Sequence, residues 1–278
     1  MSFLPIQLDI RTMKKIILLS VILALSACKT VPLTGRKGLA VIPDSQVQAL
    51  SFDQYQQVLN EGTISSNKQW TAWVKNSGNK IKIAVQKYLD DAGNGQLTEG
   101  YAWEFNLLVD DIVNAWCMPG GKVAFYEGIM PICQNEAGVA VVMGHEISHA
   151  IAQHGSERMS QQLAQQGLGM ALQVYAAQKP EQTQQMIMTA YGLGSQVGFL
   201  LPYSRLHESE ADELGLYFMA MAGYDPREAP KFWERMDAQS GSSSTSEFFS
   251  THPSHGKRIS NLNKWMDKAM EYYSKTEK

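Results

Sequence analysis

The apolar positions divide the chain into helical and strand-like stretches. Across residues 68–91, Trp70, Trp73, Val74, Ile81, Ala84, Val85 and Tyr88 recur close to helical spacing, predicting a helix that ends near Gly93. A helical stretch also begins at residues 46–50. Residues 103–109 first alternate and then turn apolar, as a strand does, and residues 114–117 and 122–126 read as two more strands split by Met118, Pro119, Gly120 and Gly121. The apolar runs 137–143 and 150–152 predict one buried helix between them. Residues 159–201, rich in Gln, Met, Ala and Gly and divided by Pro180, predict a helical hairpin. Its glutamines interrupt every apolar run, so neither arm suits a membrane span. Packing against the buried helix is favoured over a moving lid, and Gly194 and Gly198 form a small-xxx-small pair. A helix follows Pro226 through Met236, and residues 240–246 form a serine-rich flexible loop. The final helix aligns Ile259, Leu262, Met266, Met270 and Tyr273 on one face. The expected class is α+β and mostly helical, with a small sheet beside the buried helix.

That buried helix carries His145, Glu146 and His149. Histidines at i and i+4 lie about 40° apart and one turn along, so both imidazoles can reach one metal. Glu146 then sits where it can take a proton from a water at that metal. Burying two imidazoles and a carboxylate without partners is costly, and a metal satisfies all three. A third protein ligand is needed. The H-E-x-x-H-x-x-G-x-x-H solution fails, because Ala152 and Gly155 stand where its glycine and third histidine would be. His154, roughly 140° round a continuing helix from His149, reads as a helix-end residue, and Gly155 is expected to stop the helix before Glu157. The better candidate is Glu208, which shares a helix face with Asp212 at i+4, while Glu210 points away and is expected to be solvated. A carboxylate ligand beside a second acid that orients a ligating histidine is a recurrent pairing.

In order, H-E-x-x-H, the segment Ser204-Arg205-Leu206-His207-Glu208-Ser209-Glu210-Ala211-Asp212, then Ala222-Gly223-Tyr224-Asp225-Pro226 and Thr251-His252-Pro253 resemble the M48 family of zinc metallopeptidases. The likeness covers residues 44–278 and is nearest to the bacterial, lipoprotein-type, single-domain members. It implies a zincin-like (gluzincin) domain holding one Zn2+ per chain through His145, His149 and Glu208. It makes Glu146 the general base and acid, and Asp212 the partner of a ligand histidine. Asn114 and Ala115, before Pro119-Gly120-Gly121, match an edge strand that pairs with substrate backbone. His252 matches a histidine that either stabilises the tetrahedral intermediate or plugs the metal in a resting state, and Arg258 follows it in the same segment.

The front of the chain alters the picture of where such a domain works. Met13-Lys14-Lys15 is a basic n-region and residues 16–25 an apolar h-region of signal-peptide length. Leu25-Ser26-Ala27-Cys28 resembles a lipobox, so translation is expected to start at Met13 and Cys28 to become a lipidated N-terminus in the bacterial envelope. Lys29 in place of aspartate favours the outer membrane, facing the periplasm. Residues 29–44 then read as a tether and residues 45–278 as the peptidase domain.

Composition narrows the partners. The net charge is −3, from 24 basic and 27 acidic residues. Losing Arg11, Lys14, Lys15 and Asp9 with the leader leaves 21 and 26, a net −5, with no basic stripe for nucleic acid. With Cys28 lipidated, Cys117 and Cys133 remain, either free or paired in an oxidising compartment. The expected function is zinc-assisted hydrolysis of misfolded or stalled envelope proteins. The alternatives are an envelope assembly factor or chaperone whose zinc site is latent, plugged by His252, and a structural lipoprotein with a vestigial site. The intact Glu146 argues against the last.

Overall fold

The computed structural model describes residues 28–31, 33–195, 201–239, 246–252 and 256–276. The n-region, the h-region and lipobox residues 25–27 lie outside them, as do Gly198, Pro253 and residues 240–245 of the serine-rich loop.

Strands β1 (Cys28–Thr30) and β2 (Lys37–Leu39) form an antiparallel hairpin with Cys28 opposite Leu39. The segment expected as a tether is thus folded onto the domain, with Val31 buried in the main core. Helix α1 (Asp44–Glu61) follows, then α2 (Lys68–Asp91), whose first turn is closed by the Asn67 side chain accepting from the Trp70 N–H at 3.1 Å. Its Val74, Ile81, Ala84 and Val85 are buried, as their spacing predicted, and Leu89 is buried with them, while Trp70, Trp73 and Tyr88 are half-buried.

The three strands fall where the alternation placed them: β3 (Glu104–Leu108), β4 (Ala115–Met118) and β5 (Lys122–Tyr126). Their order is β3-β5-β4, with β5 parallel to β3 and antiparallel to β4. The reversal between β4 and β5 uses Gly120 and Gly121 at φ 91° and 81°, a region open mainly to glycine. β4 is therefore an edge strand, and it runs beside the central helix.

After the short α3 (Met130–Cys133), Asn135 caps α4 (Glu136–Ile151) by accepting from the Gly138 N–H at 2.9 Å. Every residue from Gly138 to Ile151 is buried. The sheet and α2 cover one side of α4. The other is covered by α7 (Leu201–Met221) and α8 (Glu228–Ala238), on which α10 (Arg258–Tyr273) packs from outside, with α9 (Ser246–Thr251) delivering the chain back to the centre. α4 and α7 cross at two glycines. A Cβ on Gly144 would lie 2.7 Å from the Gly215 carbonyl oxygen, and one on Gly215 would lie 2.8 Å from the His145 nitrogen.

Two expectations are corrected, and the cysteine alternatives are decided. α4 stops at Ile151, not at Gly155: Gln153 adopts φ 61°, and α5 (His154–Ala176) starts in a new direction with Gly155 inside it. The hairpin of α5 and α6 (Glu181–Ser195) packs on the body only through its first turns. Beyond Gln161 the helix exposes Leu163, Leu168, Met170 and Val174, because glutamines interleave with its apolar residues and leave no continuous stripe to bury. Cys117 and Cys133 are both free thiols.

The two glycine environments predict opposite outcomes. Gly215→Ala forces backbone against backbone and is expected to cost about 1–3 kcal/mol. Gly155→Ala, in a helix with nothing within 4 Å of the new methyl, is expected to be neutral or to add about 0.5–1 kcal/mol. Urea unfolding of both variants checks this.

Candidate metal centre

Periodicity on two helices builds the centre. His145 and His149 lie one turn apart on α4, and Glu208 and Asp212 one turn apart on α7. The Gly144–Gly215 crossing is close enough for these side chains to meet. His252, just past α9, enters from the third side. Its N–H closes a helical turn onto the Phe248 carbonyl at 2.8 Å, and its ring stacks on Phe248 at 4.7 Å.

The four side chains His145, His149, Glu208 and His252 are buried, and one donor atom from each lies within 4.8 Å of the others. His145 Nε2 is 3.1 Å from His149 Nε2, 3.3 Å from His252 Nδ1 and 3.5 Å from Glu208 Oε2. Glu208 Oε1 is 3.4 Å from His149 Nε2 and 3.2 Å from His252 Nδ1. A tetrahedral ion with bonds of about 2.0–2.1 Å has ligand–ligand edges of about 3.3–3.4 Å. The five separations, 3.1–3.5 Å, are close to those edges, so the donor set fits a small tetrahedral cation.

Charge gives an independent test of fit. Glu146, Glu208 and Asp212 are buried carboxylates, and Arg258 is the buried guanidinium among them. Arg258 Nη2 donates to Glu208 Oε2 at 2.8 Å and Nε to Asp212 Oδ2 at 2.7 Å, with the guanidinium 3.9 Å above the Trp233 ring. With neutral imidazoles two negative charges stay uncompensated, the balance a divalent ion supplies. Burial opposes charge on His145, yet the carboxylates of Asp212 and Glu208, accepting hydrogen bonds from its ring, push its pKa up to about 10. The site therefore draws in positive charge by itself. Burial alone would raise Glu208, but His149 and the imidazole hydrogen bonds hold it well below the usual carboxylate range. Burial pushes Glu146 up.

Asp212 Oδ1 lies 2.9 Å from His145 Nδ1, which leaves His145 Nε2 aimed at the cluster, the arrangement expected of a carboxylate that orients a ligand histidine. Glu146 reaches the other edge of His252, with Oε1 3.5 Å from Nε2. Glu146, His149 and His252 line a cavity of about 210 Å³ with Asn114 and Ala115 on its strand side. Asn114 sits just before β4, its side-chain oxygen accepting from the Ala115 N–H at 2.9 Å. Cys28 lies in β1, remote in sequence from all of these.

Glu210 is corrected. It is buried, not solvated, because α7 has a covered face on both sides. Its Oε2 meets His154 Nε2 at 2.8 Å and Arg36 Nε at 2.9 Å, and Thr34 donates to its other oxygen. His154 is no ligand, as expected, but it is also no mere helix end. Turned back by the left-handed Gln153, its Nδ1 lies 2.8 Å from His149 Nδ1. His207 stacks on His154 at 4.3 Å and meets Glu157 Oε2 at 3.1 Å. His154, His207, Glu157 and Arg36 were not singled out as working residues from the sequence. The available signal was the density of His and Glu around both motifs.

Asp212→Asn keeps the shape but removes the carboxylate from His145. It is expected to weaken metal affinity about 10- to 100-fold, read by competition with a chelator.

The profile of Peptidase family M48 matches residues 77–266, a span holding α4, α7, α8, α9 and His252. Among similar proteins, the mitochondrial metalloendopeptidase OMA1 of Saccharomyces cerevisiae is 35% identical over 205 residues, covering 71% of this chain and 56% of that protein. OMA1 of Schizosaccharomyces pombe is 32% identical over 243 residues, covering 86% and 66%. The β-barrel assembly-enhancing protease of Escherichia coli is 29% identical over 161 residues, covering 56% and 33%. This chain therefore spans less than two thirds of the length of these relatives. The profile takes in more than half of the chain and every residue of the four-donor cluster, and on that ground the chain belongs to peptidase family M48, the metal-dependent peptidases.

Proposed function

We propose that the chain is a zinc-dependent endopeptidase of the bacterial cell envelope, anchored by lipid at Cys28 and cutting misfolded or stalled envelope proteins. The observation that carries the peptidase reading is the placement of Glu146. This buried carboxylate faces a cavity shared by the tetrahedral donor set and an edge strand. His145, His149 and Glu208 would hold the zinc. When bound, the zinc supplies Lewis-acid polarisation of the scissile carbonyl and of the attacking water. Glu146 takes the proton from that water and returns it to the leaving amine. Among the described strands β4 pairs with β5 alone, so an extended substrate can add to its outer edge through backbone hydrogen bonds, with affinity tolerant of sequence.

The envelope location is supported by the lipobox, by the acidic net charge that disfavours nucleic acid, and by the E. coli relative, whose name ties it to β-barrel assembly. No described helix is long and apolar enough to cross a membrane. A second reading, an assembly factor with a latent site, is favoured by one observation: His252 Nδ1 lies 3.3 Å from His145 Nε2 and 3.2 Å from Glu208 Oε1, placed to give a bound ion a fourth protein donor. In that state His252 is a plug, and release of α9 opens the site.

The full chain should contain one zinc and cleave casein, and Glu146→Gln should keep the zinc while losing at least a hundredfold in rate. Absence of zinc from metal-replete protein would sink the reading. His252→Ala should raise cleavage if the plug dominates and lower it if the imidazole serves the transition state. Because burial raises Glu146 and only its ionised form accepts a proton, kcat/KM should fall with decreasing pH through a midpoint above the ordinary glutamate value of about 4.3. A pH profile against the same substrate checks this.

A further inference from the structure

The N-terminal hairpin touches none of the four donors, yet a continuous line of polar contacts joins it to one of them. Arg36, in the turn before β2, spreads its guanidinium over two buried carboxylates from different helices. Nη1 and Nη2 meet the two oxygens of Glu157 at 3.0 and 2.8 Å, and Nε meets Glu210 Oε2 at 2.9 Å. A planar fork can serve both at once in a way an ammonium cannot. Thr34 donates to Glu210 as well, and the Val41 N–H donates to Ser160 Oγ at 3.0 Å. Gly38 runs so close that a Cβ there would lie 2.7 Å from Glu157 Oε2. These residues precede the stretch matched by the family profile.

The direction of the protons along this line is determined by chemistry. A histidine that gives Nε2 to a metal keeps its proton on Nδ1. His149 Nδ1–H then donates to His154 Nδ1, 2.8 Å away. His154 in turn must carry its own proton on Nε2, which donates to Glu210 Oε2 at 2.8 Å. Every proton points toward Glu210, so the line holds only while Glu210 stays an acceptor in place. Arg36 and Thr34 keep it there.

We propose that Arg36 and Glu210 are positioning residues for the metal centre, fixing the ring and tautomer of His149 through His154, so that the hairpin ahead of the peptidase domain is a working part of the zinc site. The inference rests on the zinc reading above. It adds that a segment outside the matched family region governs how tightly the ion is held.

The experiment is zinc release from the full chain into a chromogenic chelator, with a double-mutant cycle. Arg36→Met is expected to speed release about tenfold and Glu210→Gln by about 10- to 100-fold, the range for groups that support a ligand from behind. Arg36→Lys, able to pair with one carboxylate only, should recover part of the loss. Lys37→Ala, at the exposed next position in the same hairpin, should release at the parent rate. Because Arg36 acts through Glu210, the double variant should release no faster than Glu210→Gln alone. Multiplicative effects in the double variant would overturn the proposal, as would a parent-like rate in Arg36→Met. Should Arg36→Met not fold, Arg36→Lys and Glu210→Gln carry the same comparison through their own double variant. A parent chain that binds no zinc would sink both this inference and the function it rests on, whereas a zinc-binding parent with an indifferent Arg36→Met sinks this one alone.

Discussion

The centre depends on two helices being allowed to touch backbone to backbone. α4 and α7 each contribute a pair of polar side chains one turn apart, and neither pair can hold an ion alone. Gly144 and Gly215 remove the side chains that would keep the axes apart, so His145 Nδ1 and Asp212 come within hydrogen-bond distance and both histidines come within reach of Glu208. The rest of the fold serves that crossing. The sheet and α2 fill one side of α4, α8 braces the other, and α10 backs α7 and α8.

Placing so much charge in a core is expensive unless every group is answered. Here the answer comes in two tiers. Arg258, lying on Trp233, bridges Glu208 and Asp212 from one side and offsets one of their two charges. Arg36 does the same for Glu157 and Glu210 on the other. His154 and His207, stacked face to face, bridge the second tier to the first. The result is a polar seam running from the hairpin through the helices to Trp233, inside an otherwise apolar body.

Much of this was legible in the sequence, for a physical reason. Helical period alone puts His145 with His149 and Glu208 with Asp212, and strand alternation alone finds β3 and the two strands after it. The readings that failed assumed something local that was decided elsewhere. Glu210 was placed in solvent because it lies opposite Glu208 on α7, but an opposite face is wet only if nothing covers it. The cover comes from residues 174 and 176 positions away, Arg36 and Thr34. His154 was measured round a helix that does not continue, since Gln153, with no glycine or proline to announce it, takes a left-handed turn. The α5–α6 hairpin was assigned to the core on composition, although its interleaved glutamines leave it nothing wide enough to bury. The tether reading followed from prolines and glycines, which also suit the tight turn of the hairpin it forms.

The glycine crossing also bears on which ions the site can accept. At Gly144 and Gly215 a single added methyl would already fall 2.7–2.8 Å from the facing backbone, so a larger residue at either position can only move the helices apart. The donor separations of 3.1–3.5 Å are therefore near the lower limit of what this scaffold can present. Any bulkier residue at the crossing would lengthen them together and shift the preference toward ions of larger radius. Any selectivity for a small cation would thus rest less on the ligands, which many metals would accept, than on two absent side chains.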